Sequence, residues 1–219
     1  MIRGVLFDLD GTLLDRERSL RDFLDRQYER FPVMHSVSKA QFVERFLQLD
    51  ENGYVWKDQV YTRLIEQFGW SCDMQELLND YLHAFRDHCV GFPHLTEMLD
   101  ELRGMGVKQG IVSNGVDAFQ RRNISGLGIT DHFDAILVSE SEGLRKPDPA
   151  IFMRALHRLN LSPEETMFVG DHPVNDVEAS VRTGLLGVWK KNTIYAIPEC
   201  SCLVLDDLMQ IPAWVRERD

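Results

Sequence analysis

Val5-Leu6-Phe7-Asp8-Leu9-Asp10-Gly11-Thr12 is a short apolar run that ends in two carboxylates and a glycine. An uninterrupted run of this length, closed by a turn signal, reads as a strand buried on both faces. The same arrangement recurs along the chain. Residues 108–113 end in Ser113-Asn114-Gly115, 133–139 end in polar loop residues, and 166–169 end in Gly170-Asp171. Residues 185–189 run into lysines, and 202–205 into Asp206-Asp207. Between these runs, residues 95–102, 117–127, 150–159 and 174–182 carry apolar side chains at helical spacing. Apolar strands alternating with helices predict an α/β fold: a doubly wound parallel sheet, Rossmann-like, with both faces covered.

One interval breaks the alternation. From residue 15 to 92 there is no strand pattern, but there are four amphipathic stretches near 19–30, 39–48, 57–68 and 74–88. Gly53, Gly69-Trp70 and Gly91-Phe92-Pro93 punctuate them. The expected organisation is a Rossmann-like core of residues 1–14 and 93–219, with an α-helical domain inserted at 15–92. Phe42, Phe46, Leu64 and Phe68 fall at spacings that suit the insertion's own core. Arg16, Arg18, Arg45, Trp56 and Lys57 read either as specificity residues or as solvated faces and packing.

The balance of charge narrows the class of ligand. A formal net charge of -11 over 219 residues excludes a general nucleic-acid binder, which needs a basic face. Within the insertion carboxylates outnumber Lys and Arg, so it is no clamp for a large polyanion. The apolar run before Asp8 is too short for a signal-peptide core or a membrane span, so cytoplasmic residence is the expectation. Cys72, Cys89, Cys200 and Cys202 are sparse and lack zinc-site spacing, which predicts reduced thiols.

In a doubly wound sheet the ligand sits beyond the carboxyl ends of the strands, where strand order reverses. That rule brings Asp8, Asp10, Ser113, Asn114 and Asp171 to one edge, with Lys146 and Asp176 in the loops or helix starts that follow. Asp8, Asp10, Asp171 and Asp176 together repel one another, and a divalent cation removes the conflict. An all-oxygen donor set suits Mg²⁺.

These segments carry a family likeness. Asp8-Leu9-Asp10-Gly11-Thr12-Leu13-Leu14 resembles the first signature of the haloacid dehalogenase-like hydrolase superfamily. Ser113-Asn114-Gly115 resembles its second and Lys146-Pro147-Asp148-Pro149 its third. Gly170-Asp171-His172-Pro173-Val174-Asn175-Asp176 resembles its fourth. The likeness runs from residue 2 to about 206, and the insertion's position matches the family's type I cap.

The resemblance implies a phosphatase acting on a small phosphorylated metabolite through an aspartyl-phosphate. Asp8 would be the nucleophile, Asp10 the general acid and base, and Lys146 the balancing cation. Ser113 and the Asn114 backbone N–H would bind phosphoryl oxygens. Asp8, the Asp10 backbone carbonyl and Asp171 would hold Mg²⁺, with Asp176 supporting directly or through water. The step from Asp171 to Asp176 is one residue longer than in some relatives. The dehalogenase branch usually lacks an Asp at the position of Asp10, and the phosphonatase branch departs there too, so phosphoryl transfer is favoured. A phosphomutase shares these motifs, and a binding protein that has lost turnover is the other alternative. His172 is expected to serve the loop's structure.

Overall fold

The computed structural model describes residues 1–218. In chain order the elements are β1 (Gly4–Phe7), α1 (Arg16–Arg30), α2 (Lys39–Asp50), α3 (Lys57–Phe68) and α4 (Met74–Ala84). Then come α5 (Leu95–Gly104), β2 (Lys108–Ser113), α6 (Asp117–Gly126), β3 (Ala135–Val138), α7 (Ser139–Glu142) and α8 (Pro149–Leu159). β4 (Thr166–Gly170), α9 (Ala179–Arg182), β5 (Leu186–Lys190), β6 (Leu203–Leu205) and α10 (Gln210–Glu217) complete the chain. The chain divides into two compact units, Met1–Arg16 with Val90–Asp219, and Glu17–Cys89.

The first unit is a six-stranded sheet in the order β3-β2-β1-β4-β5-β6, with every adjacent pair parallel. All of β1 and β4 is buried, as their unbroken apolar runs require of strands covered on both faces. One face of the sheet is a cluster of Leu6, Val112, Leu137 and Phe168 beneath Ile151, Phe152, Ala155, Leu156 and Leu159 of α8. α8 presents this stripe because its apolar residues repeat at three and four positions, after an Asp148 N-cap and Pro149 at the first helical turn. Burial of a stripe like this stabilises by about 1.5–3 kcal/mol per large side chain relative to exposure. Strand order reverses between β1 and β4, so their carboxyl ends flank a crevice.

Past β1 the chain turns sharply. The Leu9 carbonyl accepts from the amides of Thr12, Leu13 and Leu14 at 3.3, 3.0 and 2.9 Å, and Gly11 takes φ +82°. The outgoing and returning segments then lie side by side. The Asp15 amide donates to the Val90 carbonyl at 2.8 Å, and the Phe92 amide to the Leu13 carbonyl at 3.0 Å.

The second unit is helical. Ser38 begins α2 with a reciprocal capping box: its Oγ accepts from the Gln41 amide, and Gln41 Oε1 accepts from the Ser38 amide. Gly69, with φ +66°, ends α3 in the left-handed conformation. Phe23, Phe42, Phe46, Tyr61, Tyr81 and Phe85 are buried, with edge contacts at 5.3 Å for Phe23–Tyr81 and 5.4 Å for Phe46–Tyr61. Phe68 differs from its expected place: it is half-buried, with its ring 5.3 Å from that of Trp70 at the rim. Lys57 also differs from both of its readings. It is 2% exposed and ion-paired inside the unit with Asp50, which is 1% exposed.

Candidate active site

Each candidate side chain hangs from the carboxyl end of a strand or from the segment after it. Asp8 follows β1, and its amide donates to the Val169 carbonyl at 2.9 Å, which carries the β1–β4 pairing one residue further. Lys146 Nζ lies 2.5 Å from Asp8 Oδ1 and 2.7 Å from Asp176 Oδ1. All three of these side chains are nearly or fully buried. Thr12 Oγ1 donates to the other Asp8 oxygen at 3.3 Å. One ammonium therefore serves two carboxylates.

Asp171 follows β4 and completes the cluster. Asp8, Asp171 and Asp176 each bring a carboxylate oxygen within 4.8 Å of the others'. Gly11 makes this approach possible, since a Cβ there would lie 2.4 Å from Asp171 Oδ2. The Asp171 carboxylate accepts no hydrogen bond and forms no ion pair among the described residues. Its backbone carbonyl is held from two sides, by Trp189 Nε1 and Asn192 Nδ2, both at 3.0 Å.

The charges carry the consequence. Burial pushes the Asp8 carboxyl from 3.8 up to about 7, the Asp176 and Asp10 carboxylates push the same way, and Lys146 opposes them. Burial likewise lifts Asp171 to about 8, helped by Asp8 and Asp176. For Lys146, burial alone favours the neutral amine, yet Asp176 and Asp8 outweigh it and hold the ammonium well above its ordinary value. When all three crowded carboxylates are ionised, one ammonium leaves two negative charges uncompensated, and the raised pKa values are the protein's response without a cation. An unpaired carboxylate, oxygen-only donors and that residual charge fit a hard divalent cation.

Asp176 reaches the cluster through an unusual turn. The sequence pattern predicts one helix over 174–182, whereas Pro173–Glu178 is a π-helix that leads into α9. A π turn takes one more residue than an α turn, and this one returns the Asp176 carboxylate to Lys146 at 2.7 Å. His172 builds it. Its Nδ1 accepts from the amides of Val174 and Asn175 at 3.2 and 3.1 Å, and its own amide donates to Asp176 Oδ2 at 3.0 Å. Burial lowers the His172 pKa, as suits a neutral ring that accepts through Nδ1.

Asp10, Ser113 and Asn114 form a second group beside the first. Asp10 Oδ2 accepts from Gln120 Nε2 at 2.6 Å, and Ser113 Oγ accepts from the same amide at 2.9 Å. The Asn114 side chain is spent on Lys146: its Nδ2 donates to the Lys146 carbonyl and its Oδ1 accepts the Lys146 amide, both at 2.9 Å. Asn114 thereby anchors the backbone that aims the ammonium.

Sequence reasoning missed Gln120, Trp189 and Asn192. Gln120 had a readable signal, because Phe119, Gln120, Asn123 and Ile124 make up the buried face of α6 and two of the four are amides. Polar residues on a core-facing stripe need partners.

Residues 5–189 match the family model described as haloacid dehalogenase-like hydrolase. The glyceraldehyde 3-phosphate phosphatase of Methanocaldococcus jannaschii is 36% identical over 206 residues, covering 86% of this chain and 84% of that protein. The phosphoserine phosphatase of Thermus thermophilus is 31% identical over 134 residues, 61% of this chain; the match spans 54% of that protein's length, about half. Among solved structures, the HAD phosphatase from Thermococcus onnurineus is similar with a TM-score of 0.69 at 27% identity, covering 98% of each chain.

Proposed function

The chain belongs to the haloacid dehalogenase-like hydrolases, and from that membership we propose that it is a magnesium-dependent phosphatase of a small phosphorylated metabolite. The observation that carries the reading is the buried Asp8–Lys146–Asp176 arrangement beside an unpaired Asp171, with Asp10 two residues from Asp8. The similar proteins named as phosphatases of phosphoserine and of glyceraldehyde 3-phosphate support a small phosphomonoester as the substrate class.

Asp8 is the nucleophile. One of its carboxylate oxygens forms a bond to phosphorus as the ester P–O bond breaks, and Asp10 gives its proton to the departing alkoxide. Asp10 then takes a proton from water as the water oxygen bonds phosphorus. The Asp8–phosphorus bond breaks, returning the Asp8 carboxylate and inorganic phosphate. Lys146 holds Asp8 in place and offsets charge gathering on the phosphoryl oxygens. Ser113 and the Asn114 backbone N–H bind those oxygens. Asp8, the Asp10 backbone carbonyl and Asp171 would hold Mg²⁺, with Asp176 directly or through water, and the ion would supply charge neutralisation at the phosphoryl group.

The test is phosphate release from a panel of small phosphomonoesters, with Mg²⁺ and with chelator, for the wild-type chain and Asp8→Asn. Metal-dependent release that Asp8→Asn abolishes is the expected result. A folded, metal-loaded wild type that releases no phosphate from any ester would overturn the reading.

A further inference from the structure

We infer that Gln120 is a positioning residue that sets the orientation of both Asp10 and Ser113; this rests on the phosphatase reading above. Its side chain is 3% exposed on the inner face of α6, and its Nε2 lies 2.6 Å from Asp10 Oδ2, 2.9 Å from Ser113 Oγ and 3.4 Å from the Asn114 carbonyl. A primary amide has two N–H bonds, so two of these three acceptors are well served, and the two shortest contacts are Asp10 and Ser113. The shorter of the two holds Asp10 by Oδ2, which leaves Oδ1 to carry the proton when Asp10 acts as the acid.

The amide cannot turn over without loss. Asn123 Nδ2 donates to Gln120 Oε1 at 3.2 Å, and Asn123 is itself fully buried. A flipped Gln120 would set its oxygen against the Asp10 carboxylate and its N–H bonds against the Asn123 amide. The buried series Asn123, Gln120, Asp10 therefore has one direction. Because Ser113 Oγ accepts from Gln120, its own hydrogen is directed away from that amide. The Asn114 carbonyl takes that hydrogen only at 3.5 Å, so a phosphoryl oxygen can claim it. Room for Gln120 comes from Gly115, where a Cβ would sit 3.0 Å from Gln120 Cγ.

A residue that only filled a buried polar site would, when replaced, slow every substrate by the same factor. A residue that orients the general acid acts unequally. An alkoxide leaving group needs the Asp10 proton, whereas p-nitrophenolate departs without it. The experiment compares kcat/KM of wild type and Gln120→Met on an alkyl phosphomonoester and on p-nitrophenyl phosphate, since kcat/KM reports the steps up to release of the leaving group. The expected loss is about 100-fold for the alkyl ester, within the range that general acid catalysis supplies. For the aryl ester the expected loss is about tenfold or less, the share that a misplaced Ser113 costs in phosphoryl binding. Equal losses on the two esters would overturn the inference.

A second measurement needs neither turnover nor the Gln120 variant. In ¹⁵N-glutamine-labelled protein, the Gln120 side-chain amide resonances should shift on Asp10→Asn, where an amide replaces the carboxyl group that Gln120 Nε2 contacts. Unchanged Gln120 resonances would overturn the inference. Absence of phosphate release by the wild type would instead count against the phosphatase reading, and the amide resonances would still decide whether Gln120 holds Asp10.

Discussion

Asp171→Asn changes one charge and almost no volume, and it should make the metal-free protein more stable at alkaline pH. Within the fold the Asp171 carboxyl titrates at about 8 against an ordinary 3.8, so the folded chain binds that proton more tightly than the unfolded chain does. Stability tied to this group is therefore complete below about pH 4 and falls as pH rises toward 8. At about 1.4 kcal/mol per unit of difference, full ionisation of Asp171 costs the fold at most on the order of 6 kcal/mol. Asp171 is only partly buried, and solvent screening brings the expected cost to about 3 kcal/mol. Asparagine escapes this cost. At about 2–4 °C per kcal/mol for a chain of this length, Asp171→Asn should melt about 6–12 °C above wild type near pH 8.5 in chelator. The advantage should shrink to about a third near pH 5, where the folded wild type already carries the proton. Adding Mg²⁺ should reverse the order, because ligand binding to the folded state stabilises wild type alone. The assay is calorimetric melting of both proteins at the two pH values, with chelator and with Mg²⁺. A variant less stable than wild type in chelator near pH 8.5, or equally favoured at both pH values, would refute the electrostatic account of the cluster.

Three further outcomes follow from contacts elsewhere. Lys57→Met should destabilise the helical unit by about 3–5 kcal/mol in urea unfolding, because it leaves the buried Asp50 carboxylate without its ammonium partner; Asp50→Asn in the same chain should recover part of the loss. Gly11→Ala places a Cβ 2.4 Å from Asp171 Oδ2 at φ +82°, and titration calorimetry should show Mg²⁺ affinity reduced at least about tenfold. Lys146→Met should cut phosphate release by about 100-fold or more and lower the melting temperature above pH 7, since Asp8 and Asp176 then face each other uncompensated.

Much of the core could be read because its physics is local. Strands buried on both faces leave unbroken apolar runs, and the polar residues that end them fall at one edge once the strands are parallel. Asp8, Asp10, Ser113 and Asp171 were found in this way. What escaped depends on partners distant in sequence or on a single side chain's hydrogen bonds. The π turn before α9 rests on His172 accepting two amides, which no periodicity records. Asn114 resembled a turn residue, but its partner is the Lys146 backbone 32 positions on. Lys57 resembled a solvated helix charge because burial of an ion pair leaves no mark on spacing. α10 lies beyond the last apolar run and carries Pro212, which at the third helical position displaces no intrahelical hydrogen bond.

The hydrogen bonds from Asp15 to Val90 and from Phe92 to Leu13 give the catalytic core a doorway of fixed width. Whatever is inserted there has to begin and end at neighbouring points, and nothing else about it is prescribed by the sheet. The closure cost of such a segment grows only slowly with its length, about 0.6 kcal/mol per doubling. A lineage could lengthen, trim or exchange residues 17–89 without disturbing the strand register around Asp8 and Asp171. The register of the sheet and the make-up of the insert can then evolve on separate schedules.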